Sequence, residues 1–244
     1  MEFENLDRIV SDIVRDDYRT ADVFKKYGIN YCCGGQLSLK EACDHKSIEY
    51  SEMKAALESA TKTMSLSNQL RFEDWKIDFL VDFIINVHHG YINQVLPQLE
   101  SSLISFVEEH RKKYPELVQV LAVFKELITL LVSHNRHEEE IIFPYIKQIE
   151  NTYRRKETYG NLFVRTLRKP LSTIEGEHKK IGLLLQELRS LTHHYQFPAN
   201  ACTNHRVIYN KLKEFDNDME QHEHLENNIL FPKAVEIEKE LLRL

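Results

Sequence analysis

The sequence predicts an all-α protein in two parts: a small helical amino-terminal domain over residues 1–65 and a four-helix bundle over residues 73–241. Three observations carry this. Only 7 glycines and 6 prolines occur in 244 residues, too few for a turn-rich sheet protein. From Glu73 onward apolar residues recur at helical spacing almost throughout, and no stretch alternates as a strand would. The carboxy-terminal part also repeats itself once, with a period of one helical hairpin rather than that of a solenoid.

In the amino-terminal part, Ile9, Ile13 and Val14, with Leu6 alongside, form the apolar face of a first helix. Thr20 to Tyr27 reads as a second helix, closed by Gly28 as its carboxy-terminal cap. The run Ile29-Asn-Tyr-Cys-Cys-Gly-Gly is a turn that needs glycine's freedom at Gly34 and Gly35. Ser38-Leu-Lys-Glu41 is a capping box, so a third helix starts there. Ser47 is the expected cap of a fourth, running through Met53, Ala56 and Leu57. Residues 60–72 are polar, with weak periodicity, and read as a linker. Long helices follow at about 73–110, 115–153, 161–193 and 204–241. Pro97, Pro144 and Pro232 fall inside three of them, where proline removes a backbone hydrogen bond and bends or breaks the helix. Pro198 marks the loop before the last helix.

The repeat carries the chemistry. His134-x-x-x-Glu138-x-x-x-x-Phe143-Pro144 recurs as His222-x-x-x-Glu226-x-x-x-x-Phe231-Pro232. Residues four apart share one face of a helix, so each copy aims an imidazole and a carboxylate at one point. His89 lies 45 residues before His134, and His178 lies 44 before His222. Ile92, Leu96 and Leu99 follow His89 as Ile181, Leu185 and Leu188 follow His178. One His-x-x-x-Glu pair arises easily by chance. Two with the same Phe-Pro sequel and matching upstream histidines do not.

Four imidazoles and two carboxylates exceed the four ligands of a closed structural zinc site. They suit a pair of ions, each taking two His, with Glu138 and Glu226 bridging. The imidazole-rich set favours iron over manganese. Each ion would keep a position open to solvent. His88 competes with His89, and the repeat alignment favours His89. His137 and His224 fall on other helix faces. Glu139, Glu140 and Glu223 read as solvated or supporting carboxylates. Glu177, directly before His178, is a candidate base or proton relay, with a solvated carboxylate as the other reading. Ile142, Phe143, Leu230 and Phe231 read as core.

The net charge of −6 argues against a general nucleic-acid binder. The start, Met-Glu-Phe-Glu-Asn, has neither the basic nor the apolar region of a signal peptide. No unbroken apolar run approaches ~18 residues, so no membrane span is expected. Four cysteines, two of them adjacent, do not form a secreted disulfide framework, and a reducing cytoplasm is expected. Cys32 and Cys33 are either a reactive, metal-handling pair or one buried cysteine beside a bystander. Cys43 reads as core, and Cys202 carries no signal.

Tyr31-Cys32-Cys33-Gly34-Gly35 followed by Ser38-Leu-Lys-Glu-Ala-Cys43 resembles the amino-terminal domain of the repair-of-iron-centres (YtfE/ScdA-type) family. His89, His134-x-x-x-Glu138, Glu177-His178 and His222-x-x-x-Glu226-Asn-Asn-Ile-Leu-Phe-Pro resemble that family's haemerythrin-like di-iron domain. The match spans the chain in order. The departure is the Lys- and Arg-rich segment from Glu150 to Arg168, a longer connection than the family needs. The resemblance implies a bacterial cytoplasmic protein with two non-haem irons, oxo-bridged, that restores iron–sulfur clusters damaged by nitric oxide or peroxide. It implies damaged iron–sulfur proteins as partners and nitric oxide or dioxygen as small ligands. Iron donation and reduction of nitric oxide to nitrous oxide are both compatible with the residues, so enzymatic turnover stays open, as does a homodimer. Cys32 and Cys33 would act in redox or transfer chemistry. The rival from another class is a non-catalytic carrier or sensor of dioxygen or nitric oxide; a metal-free adaptor leaves the duplicated pattern unexplained.

Overall fold

A computed structural model describes residues 3–32, 36–62, 70–155 and 170–243. It is all-α: among the described residues the sole β feature is an isolated bridge between Ile9 and Ser38. The chain divides into two compact units, Met1–Asn68 with Tyr195–Leu212, and Gln69–His194 with Lys213–Leu244.

The first unit holds α1 (Val10–Asp16), α2 (Thr20–Lys26), α3 (Leu39–Lys46) and α4 (Tyr50–Thr61). Their apolar faces meet in a core of Phe3, Ile13, Phe24, Leu39, Met53 and Leu57, with Cys43 inside it as expected. Burial pushes the Cys43 thiol up. Gly28 closes α2 at φ 67°, a conformation that costs a side chain. The capping box of α3 is formed in both directions: Ser38 Oγ accepts from the Glu41 N–H at 3.2 Å, and the Ser38 N–H donates to Glu41 Oε2 at 2.8 Å. Ser47 corrects the sequence reading. It does not cap α4; it ends α3 in the left-handed conformation at φ 52°, with its N–H donated to Asp44 O and Cys43 O. Glu49 takes the amino-terminal cap of α4, without a side-chain bond.

Tyr195–Leu212 falls wholly within the bundle expected from the sequence. The structure counts it with the first unit. The reason is local: Val207 joins the core around Phe3, Lys211 pairs with Asp22, and Tyr31 Oη donates to Asn204 Oδ1 at 3.4 Å.

The second unit is built from α5 (Ile77–Phe83), α6 (Gly90–His110), α7 (Leu117–His137), α8 (Phe143–Arg155), α9 (Pro170–Leu191), the end of α10 (Thr203–Leu225) and α11 (Phe231–Arg243). Helix α7 packs against both α6 and α9. Leu80, Ile84, Ile142, Ile146, Leu225 and Leu230 belong to one buried apolar cluster. Phe124 meets Phe215 edge to face elsewhere, at 5.8 Å between ring centres. Residues 156–169 lie outside the described residues, and with them most of the basic connection and the expected start of a helix at 161.

The prolines do not break their helices. Instead, π-helical segments join α5 to α6 (Ile84–His89), α7 to α8 (Glu138–Ile142) and α10 to α11 (Glu226–Leu230). In both repeats the wide turn begins at the repeated Glu and ends just before Phe-Pro. A proline cannot donate to the carbonyl four residues back, and its ring collides with it. A π turn, spaced by five, moves that carbonyl away. Pro97 sits within α6 without a wide turn around it. The helical run Leu117–Arg155 is long and apolar enough, by length and composition, to cross a membrane. Lys125 and Glu126 interrupt its apolar run, so no unbroken stretch marks it in the sequence. A core helix meets the same criterion, and Leu127 and Leu131 of this one are fully buried.

Candidate metal centre

The wide turns and adjoining helix ends point six side chains at one place. His89 ends the first π segment, His134 lies in the last turn of α7, and Glu138 opens the next π segment. His178 lies along α9, His222 near the end of α10, and Glu226 opens the last π segment. Donor atoms of His89, Glu138, His222 and Glu226 lie within 4.8 Å of one another, and so do those of His134, Glu138, His178 and Glu226. Both carboxylates belong to both groups. None of the six residues is more than 6% exposed.

The atoms suit cations. His134 Nδ1 donates to Glu177 Oε2 at 2.8 Å, and His178 Nδ1 to Asn227 Oδ1 at 2.8 Å. Those acceptors assign the ring proton to Nδ1, leaving a lone pair on each Nε2. The two Nε2 atoms face each other at 3.0 Å. Burial holds His134 down to about 4, so a second ring proton is not present there near neutrality. Two facing lone pairs at this distance repel unless a cation lies between them. On the other side His89 Nδ1 donates to Glu139 Oε1 at 2.7 Å, and its Nε2 is 3.1 Å from that of His222.

The carboxylates lead to the same conclusion. Among the described residues, neither oxygen of Glu138 nor Oε2 of Glu226, all buried, has a hydrogen-bond partner. Burial, then the charge of Glu226, pushes the Glu138 carboxyl well up. Burial pushes Glu226 up too, but the charge and hydrogen bond of His222, with His178 and His134, hold it low. Two buried carboxylates this close cannot both ionise without a cation.

Aromatic rings hold the imidazoles in place. Phe143 stacks on His89 at 5.7 Å and 24°, and Phe231 on His178 at 5.8 Å and 21°. From the sequence both rings are expected to be plain core. His88, the rejected competitor of His89, is buried to 1% exposure, but it stacks on His222 and gives its Nδ1 to Asp218 Oδ1 at 3.0 Å. Glu177 is not merely solvated, since it accepts from His134 and also lies 3.5 Å from His137 Nδ1. His224 Nδ1 is exposed and meets Asn228. Asn227 and Asp218 were missed. The signal for Asn227 was its place: it follows Glu226 as Glu139 follows Glu138. Cys32 belongs to the first unit, is half-buried, and donates its backbone N–H to Asn30 Oδ1 at 2.9 Å. Cys33, Gly34 and Gly35 lie outside the described residues.

The amino-terminal ScdA domain family, described as a domain of unknown function, matches residues 6–61. The hemerythrin HHE cation binding domain matches residues 81–234. The iron-sulfur cluster repair protein ScdA of Staphylococcus epidermidis is 28% identical over 227 residues, 93% of this chain and 97% of its own. The iron-sulfur cluster repair protein YtfE of an Enterobacter species is 30% identical over 235 residues, 94% of this chain and 97% of its own. That of Citrobacter koseri is 31% identical over 221 residues, 89% and 91% of the two chains. The chain belongs to the ScdA/YtfE family of iron–sulfur cluster repair proteins, and its carboxy-terminal part to the hemerythrin HHE family.

Proposed function

We propose that this chain restores damaged iron–sulfur clusters with two iron ions held by His89, His134, His178 and His222, with Glu138 and Glu226 shared between them. The observation that carries the reading is the sharing itself, since both four-donor groups contain the same two buried carboxylates. Two cations allow both Glu to ionise, as in di-iron carboxylate bundles. Imidazole with carboxylate suits iron. The names of the relatives supply the repair role.

Bound iron would supply affinity for diatomic ligands and one-electron redox chemistry, and would itself be cargo for a damaged cluster. The chain's own residues do the rest. Glu139, Glu177 and Asn227 fix three imidazoles through Nδ1. Phe143 and Phe231 cover His89 and His178. Of the two routes, iron donation and nitric oxide reduction, donation is favoured by the uneven hold on the four imidazoles, in which His222 Nδ1 has no acceptor among the described residues.

The test starts with protein purified without oxygen from iron-fed cells. Elemental analysis is expected to give two irons per chain, with near-ultraviolet absorption developing in air; zinc alone or no metal overturns the reading. Mixed with a cluster-free acceptor protein, the loaded chain is expected to pass iron to it. Nitrous oxide formed from nitric oxide, with no iron passed, would move the activity to reduction. Stoichiometric nitric oxide binding with neither outcome would identify a carrier. Cys32 and Cys33 are proposed to serve redox or transfer chemistry. Replacing both with Ser is expected to leave iron content and absorption unchanged while impairing repair; unimpaired repair removes that role.

A further inference from the structure

We infer that the two metal positions are unequal, and that the ion between His89 and His222 leaves first because His88 stands where its counterpart Glu177 would anchor the imidazole. The inference rests on the two-iron reading above.

The repeats make the comparison internal. Glu177 precedes His178 and accepts from His134 Nδ1 across the site at 2.8 Å. By the same relation, His88 precedes His89 and faces His222. It does not accept from His222. Its ring lies parallel to that of His222, 2° apart in plane and 5.4 Å between centres. Its Nδ1 proton goes to Asp218 Oδ1 at 3.0 Å. Asp218 lies four residues before His222, where the first repeat has Leu130. Among the described residues, His222 Nδ1 and His88 Nε2 are both buried without a hydrogen-bond partner.

Three of the four imidazoles therefore have a carboxylate or amide oxygen on Nδ1, and His222 has a stacked ring. An acceptor on the far nitrogen fixes the ring and makes the ligating nitrogen more basic, and its loss costs about 10–100-fold in metal affinity. Both imidazoles of the His134/His178 position have this support; only one of the His89/His222 position does. Solvent access does not explain the order. His89 and His222 are 0% and 1% exposed, against 2% and 6% for His134 and His178, so access alone would release the other ion first.

The test is iron release from the oxygen-free, two-iron protein into excess ferrous chelator, followed optically. One iron per chain is expected quickly, and the second at least about tenfold more slowly. His88→Glu is expected to slow the fast phase by about tenfold and leave the slow phase unchanged. Glu177→His, at a half-buried position, is expected to speed the slow phase to the fast rate, giving one phase. Far-ultraviolet circular dichroism reports whether each variant folds, and the two substitutions act on opposite sides, so loss of either leaves the other decisive. Two irons leaving the parent chain in one phase, or a folded variant without its effect, overturns the inference. Fewer than two irons in the parent chain overturns the two-iron reading itself.

Discussion

The two halves of the bundle agree in some positions and differ in others, and the division follows function. Each half places a π turn at its Glu, a phenylalanine on the imidazole of its first helix, and an oxygen acceptor one residue past its Glu. These positions decide where a donor atom points. The halves part at His88 and Glu177, and at Asp218 and Leu130, which touch or adjoin a ligand-type imidazole only from outside. The positions that two bound ions would share are alike in both copies, and those that would adjust one ion at a time differ.

The strongest way to break this comparison is at the shared carboxylates. Because Glu138 and Glu226 each serve both groups, Glu138→Gln and Glu226→Gln are each expected to lower iron from two per chain to one or fewer, by elemental analysis. A variant that keeps both ions would show that the sharing is not needed. Phe143→Ala should destabilise the metal-free chain by about 3–5 kcal/mol in chemical denaturation, because the ring is 1% exposed. Phe231→Ala should cost less, since that ring is half-buried; equal costs would mean that the halves are packed alike.

Titration sharpens the comparison next. His134 is lowered from 6.5 to about 4, so the folded metal-free chain resists its protonation. Its contribution is fully present above pH 6.5 and is lost as pH falls towards 4, about 2 kcal/mol between pH 7 and 5. Glu138, with its raised value, acts in the opposite sense, so the loss is to be read in the Glu138→Gln background by denaturation at both pH values. A flat profile there would mean that His134 is not held neutral. The smallest effect is expected from the matched acceptors. Glu139→Ala and Asn227→Ala should each weaken iron binding about tenfold, or ~1.4 kcal/mol, by competition with a chelator. Markedly unequal losses would show that the halves differ here too.

The all-α fold and the six converging side chains were legible because helical spacing and duplication act along the chain. The capping box at Ser38 was legible for the same reason: its partners are three residues apart. The rest depended on contacts between distant residues. Nothing local distinguishes a Ser47 that starts a helix from one that ends the previous helix in the left-handed conformation. Pro144 and Pro232 signalled a disturbance, but a proline alone does not say whether its helix bends or widens into a π turn just before it. Asn227 holds the place of Glu139 with different chemistry, so matching residue types missed it. Val207 joined the amino-terminal core for reasons of packing that no helical periodicity encodes.

The six donors come from four separate helical segments, and the first and last, His89 and Glu226, are 137 positions apart in the chain. Ions held there act as cross-links, closing long loops as a disulfide would, and their binding energy is also folding energy. Giving iron away, as proposed, would therefore shorten the donor's own lifetime. A spent chain would open more often, meet proteases sooner, and leave the cell's pool unless it is reloaded, so the amount of this protein should follow the iron it still holds.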